Sequence, residues 1–147
     1  MSEEIYSFPE EIEKPKYLIP SYGIVKYDPK LGRNFDPWWI ILQVEEDFQK
    51  LYRWFFKKTG KPLYPPAWGT HVSLNRGVEP DKKELWGSRE GQRIDFLYDP
   101  EFATNGKHWW VHVYSKHFLE IRNELGLSEE AYSGWTRFHL TIGKESE

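Results

Sequence analysis

Thr70-His71-Val72-Ser73-Leu74 and Phe138-His139-Leu140-Thr141-Ile142 are the two stretches on which the reading of this chain turns. Each alternates polar with apolar residues, as a half-buried strand does. Its histidine and hydroxyl then share one face, about 7 Å apart, while Val72 or Leu140 points into apolar packing. What surrounds each stretch is also similar. A Trp-Trp pair (Trp38-Trp39, then Trp109-Trp110) opens a strand, an amphipathic helix follows, then a loop carrying Trp68 or Trp135, then the histidine strand. His71 lies 32 residues after Trp39 and His139 lies 29 after Trp110, and a cation stands five residues beyond each histidine, Arg76 and Lys144. Matches in this order predict two related halves.

The remaining elements follow from local pattern. Tyr17 to Tyr27 reads as a strand pair broken at Pro20-Ser21, and Trp38 to Val44 as a central buried strand. A helix is predicted from Glu45, with Phe48, Leu51, Tyr52 and Phe55 on its buried face. Acids at its start, Lys57-Lys58 at its end and Gly60 beyond suit the helix dipole and its stop. Strands are predicted near Arg93 to Tyr98 and from His108 to Tyr114. A second helix is capped by Ser115, packed through Phe118, Ile121 and Leu125 and stopped at Gly126, and Ser128 to Tyr132 adds a helical turn. Trp39, Trp54, Phe55 and Trp109 are assigned to packing.

Composition bounds the function. The chain has 147 residues with 18% aromatic and 29% charged, which excludes intrinsic disorder. No cysteine is present, so disulfides, zinc–thiolate sites and a cysteine nucleophile are excluded. The longest apolar run, Trp38 to Leu42, is too short to span a membrane. Glu3 and Glu4 stand where a signal peptide carries basic residues, so a cytoplasmic protein is expected. Residues 1–13 hold five acids and no Lys or Arg, so 1–16 reads as an acidic tail ahead of a single domain, 17–147. Removing those five leaves 18 acids against 20 bases, a balance unsuited to gripping long nucleic acid. A small anion held by a few cations remains open.

Two histidines and two hydroxyls in matched frames suit phosphodiester chemistry next to a ribose hydroxyl. One neutral imidazole takes the 2′-OH proton and one imidazolium protonates the leaving oxygen. The ordinary pKa of histidine, about 6.5, makes both forms accessible near neutrality. Ser73 and Thr141 would hold non-bridging phosphate oxygens, and Arg76 and Lys144 would neutralise charge, although alternation in an unbroken strand turns position +5 away. Tyr22, Trp68 and Trp110 are candidates for stacking on nucleobases, with core packing as the competing reading. His108 and His112 lie about 13 Å apart on a strand, too far to share a metal. His117 reads as a surface residue of the second helix.

The His71-Val72-Ser73 and His139-Leu140-Thr141 pair resembles the two signature motifs of the 2H phosphoesterase superfamily, over roughly Tyr17 to Lys144. The 68-residue separation and the Pro65-Pro66-Ala67-Trp68-Gly69 approach to His71 are most similar to the phage anti-CBASS nucleases, which destroy cyclic di- and trinucleotide alarm signals. The resemblance implies an α+β fold of two pseudo-symmetric lobes, each an antiparallel sheet with a packed helix, with the His-x-(Ser/Thr) strands lining a central cleft. It also implies metal-independent catalysis with no cofactor, with His71, Ser73, His139 and Thr141 as the catalytic set. Ser73 departs from the commoner Thr yet keeps the hydroxyl. The competing expectations are another 2H enzyme, acting on RNA 2′,3′-cyclic phosphates or 2′-5′ oligoadenylates, and a non-catalytic nucleotide- or carbohydrate-binding module. A metallohydrolase is more distant, since no compact ligand cluster is visible in the sequence.

Overall fold

The computed structural model of the protein describes residues 17–29, 37–65, 69–128 and 138–145. Among these residues there are seven strands: β1 (Ile19–Tyr27), β2 (Ile40–Val44), β3 (His71–Asn75), β4 (Arg93–Tyr98), β5 (Ala103–Thr104), β6 (His108–Tyr114) and β7 (Phe138–Lys144). Helix α1 (Glu46–Lys58) lies between β2 and β3, and α2 (Lys116–Glu124) between β6 and β7. The predicted turn after Ser128 falls outside the described residues. β1 is a single strand rather than a broken pair, with Pro20 opposite Leu97. Proline is tolerated there because β2 joins β1 only from Gly23 onward, so the missing N–H faces an open edge.

Apart from the two-residue β5, the order ββαβ occurs twice, but the halves do not form two lobes. β1-β2-β3 and β4-β6-β7 join at both margins, through β1–β4 and β3–β7, and β4 also pairs with β6. The result is a closed, six-stranded antiparallel barrel with β5 added beside β6. The expected arrangement of two lobes, each a sheet with its own helix and a cleft between, is therefore corrected. Closure satisfies the four strand edges that two separate three-stranded sheets would leave bare.

The helices also cross between halves. Gln49 of α1 accepts a hydrogen bond from the Thr70 hydroxyl and donates to the Ile142 carbonyl of β7 at 3.4 Å. Arg122 of α2 donates to the Leu74 carbonyl of β3 at 2.8 Å and to Asn75 Oδ1 at 3.0 Å. Leu74 and Ile142 each stand three residues after their histidine, so the two crossings are equivalent.

Inward side chains of the ring (among them Val25, Leu42, Val72, Phe96, Val111 and Leu140) form one core with Phe56 of α1 and Phe118, Ile121 and Leu125 of α2. Ser115 caps α2, its hydroxyl accepting from the His117 N–H, and Gly126 ends it at φ 76°. The buried face of α1 is rotated from expectation. Phe56 is 5% exposed, whereas Leu51, Trp54 and Phe55 are 62%, 56% and 50% exposed. Phe48, Tyr52 and Phe56, at i, i+4 and i+8, make the inward stripe with buried Gln49 between them.

Candidate active site

Val72 and Leu140, the central residues of the two motifs, are the paired residues of β3 and β7. Antiparallel register therefore sets His71 beside Thr141 and Ser73 beside His139, all four on the outer wall. The two histidines occupy a diagonal, about 7–8 Å between backbones, which leaves room for a ligand between their rings. β2 and β6 extend these rows on either side. Gln43 is opposite His71 and Ile41 opposite Ser73; Trp110 is opposite Thr141 and His112 opposite His139. One outward face thus carries two four-residue rows, Gln43–His71–Thr141–Trp110 and Ile41–Ser73–His139–His112.

Both cations reach this wall, for a reason the sequence conceals. β3 shifts register against β2 between the pairs Ser73–Ile41 and Asn75–Ile40, so Leu74 is the extra residue of a bulge. β7 shifts against β6 between Thr141–Trp110 and Gly143–Trp109, making Ile142 the extra residue at the equivalent place. A bulge reverses the alternation beyond it. Position +5 is thereby returned to the outer face: the Arg76 guanidinium lies 4.6 Å from the centre of the Trp39 ring, and Lys144 is opposite His108. The same register corrects the Trp-Trp correspondence. Trp110 is equivalent to Ile41 and Trp39 to His108, so the two tryptophan pairs are offset by two residues.

The two halves give their histidines different surroundings. His71 Nδ1 lies 3.2 Å from the Gly69 carbonyl, which fixes the proton on that nitrogen and directs Nε2 away from it. Burial pushes His139 down from 6.5 to about 4, with repulsion from His112 and then His71 adding to the effect. His139 is accordingly neutral at pH 7. Trp39 is fully buried, its indole N–H donates to Ser73 Oγ at 3.1 Å, and its ring meets the His71 ring edge-on at 5.8 Å. Trp110 packs 6.1 Å from the His139 ring and 6.5 Å from His112, its own N–H buried with no partner among the described residues.

Comparison with protein-family models, with curated proteins and with solved structures returns no match.

Of the sequence-predicted site residues, His71, Ser73, His139, Thr141, Trp110, Arg76 and Lys144 share one wall. Tyr22 faces outward on β1, two strands from β3. Its hydroxyl donates to Glu45 at 3.1 Å, and the Arg93 guanidinium stacks on its ring at 3.9 Å. Trp68 lies outside the described residues. Two members of the wall were missed. Trp39 is fully buried, as its assignment to packing expects, but its bond to Ser73 has no sequence signal. His112 was weighed only against His108, whereas its neighbour in space is His139. Among the described residues no three His, Cys, Asp or Glu side chains converge as a metal site requires. Among the described residues no helix is long and apolar enough to cross a membrane.

Proposed function

We propose that the protein is a metal-independent phosphodiesterase that opens the 3′-5′ bonds of cyclic di- and trinucleotides, countering the bacterial antiphage signalling such messengers drive. One observation carries this reading: the register that sets Val72 against Leu140 and so brings two imidazoles and two hydroxyls onto a single face. In the proposed step the ribose 2′-oxygen bonds to phosphorus as the P–O5′ bond breaks. Neutral His139 takes the 2′-OH proton. His71, with its Nδ1–H held by the Gly69 carbonyl, gives a proton from Nε2 to the departing O5′. The products are a 2′,3′-cyclic phosphate and a free 5′-OH; water opens the cyclic phosphate in a separate step. Ser73 and Thr141 donate to the non-bridging oxygens, and Arg76 and Lys144 offset their charge. The place of action is the cytoplasm, that of the bacterial host if a phage encodes the chain.

The test is incubation with cyclic dinucleotides, cyclic trinucleotides, RNA 2′,3′-cyclic phosphates and 2′-5′ oligoadenylates in EDTA, with products identified by mass. Linear products carrying a cyclic phosphate are expected from the cyclic messengers. His71→Ala and His139→Ala should each slow turnover by about 10²-fold or more with the fold intact. Full activity in either variant removes the acid–base pair. Turnover of the other two substrates alone moves the protein to a different 2H activity. Saturable binding with every ligand recovered unchanged makes it a binding module.

A further inference from the structure

Trp39 contacts three of the residues assigned above, and among the described residues none of the second half repeats its role. Its indole N–H donates to Ser73 Oγ, its edge abuts the His71 ring and its ring is the seat of Arg76. The register makes His108 its counterpart on β6, and that side chain is exposed. The turn that delivers Trp39 is itself held from the core. Trp38 sits at φ 53°, a left-handed conformation that a bulky aromatic residue adopts only under constraint. Its carbonyl accepts from Asn75 Nδ2 at 2.7 Å, and Asn75 Oδ1 accepts from the buried Arg122. The chain α2–Asn75–Trp38 thus fixes where the indole of Trp39 lies.

A serine hydroxyl has one proton and two lone pairs. With one lone pair engaged by an N–H, the proton and the other lone pair are left to the remaining directions, away from the indole. We propose that Trp39 is a positioning residue: it holds Ser73 as a hydrogen-bond donor toward an anion on the wall and seats the Arg76 guanidinium beside it. This rests on the reading of the wall as a phosphate site. It makes the first motif prearranged, and it singles out Ser73 over Thr141 as the hydroxyl already turned to meet charge.

Trp39→Phe keeps most of the ring and removes the donor. In a cyclic dinucleotide assay it should lower kcat about tenfold while KM changes less than threefold. Ser73→Ala should lose at least as much, and the double variant should be no slower than Ser73→Ala alone. Losses that multiply overturn the inference, because Trp39 would then act through packing and not through Ser73. Two readouts stand apart from turnover and from the stability of the tryptophan variant. In ¹⁵N-indole spectra Ser73→Ala should shift the Trp39 signal and leave that of Trp109, which is bonded to Glu145, in place. Inorganic phosphate titrated against the wild type should weaken equally on Trp39→Phe and Ser73→Ala, and no further in the double variant. An unmoved Trp39 signal, or a wild type that binds no phosphate, overturns the inference. If phosphate binds with this coupling while no nucleotide is cleaved, the phosphodiesterase reading fails and the positioning role stands.

Discussion

His139 gives the protein a specific acid sensitivity. In the unfolded chain its pKa is the ordinary 6.5; in the folded wall burial lowers it to about 4, with His112 and His71 contributing. As pH falls below 6.5 the unfolded chain takes up a proton that the folded chain refuses. Stability conferred by the neutral ring is therefore complete above pH 6.5, declines between 6.5 and 4, and is fully lost below that. The two values give a loss of about 2 kcal/mol between pH 7 and pH 5, and about 3 kcal/mol over the whole window. For a chain of 147 residues, 2 kcal/mol corresponds to a fall in Tm of about 4–8 °C. Carboxylates also titrate toward pH 5, so the informative quantity is the difference between the wild type and His139→Gln. Urea or thermal unfolding of both at pH 7, 6 and 5 should give curves that converge as pH falls, because the variant lacks this loss. Curves parallel within 0.5 kcal/mol would refute the reasoning (about a quarter of the effect expected) and mean that the ring protonates as freely in the wall as in water.

The rotated face of α1 predicts unequal neighbours: Phe56→Ala should cost about 3–5 kcal/mol and Phe55→Ala under about 0.5 kcal/mol in urea unfolding, and equal costs would contradict the packing. Gly143 follows the β7 bulge, where an added Cβ would stand 2.7 Å from Leu63 Cβ and 3.0 Å from the Tyr64 carbonyl oxygen. Gly143→Ala should accordingly lose about 1–3 kcal/mol, and an unchanged midpoint would show that the Tyr64–Lys144 bridge gives way freely. Lys144→Ala should raise KM for a cyclic dinucleotide about tenfold or more with stability little changed; an unaltered KM would mean that the bulge does not deliver this cation to the ligand.

Much of the secondary structure was legible because its signals are local. The alternation of His108 to Tyr114 marked β6, Ser115 and Gly126 marked the ends of α2, and the two His-x-(Ser/Thr) frames marked the strands that meet. Closure was not legible. The pairings β3–β7 and β4–β6 join segments by long-range register, and nothing in Val72 or Leu140 announces its partner. The bulges at Leu74 and Ile142 were hidden for a similar reason, since an extra residue in a strand shows only against the neighbouring strand. Hence Arg76 and Lys144 read as turned away. The α1 face was misjudged because the aromatic-rich run 48–56 fits helical spacing in two rotations. Gln49, a polar residue beside this run, is buried with bonds to Thr70 and Ile142. The Trp-Trp pairs match by composition but not by register, so neither pair announces that Trp39 meets Ser73.

The most direct test of the whole account is the spatial meeting of the two motifs, read as nuclear Overhauser contacts between backbone protons of Val72 and Leu140 and of His112 and His139. Both contacts are predicted, in the wild type and without ligand. Fully assigned spectra that show neither would separate the histidine strands and remove the site.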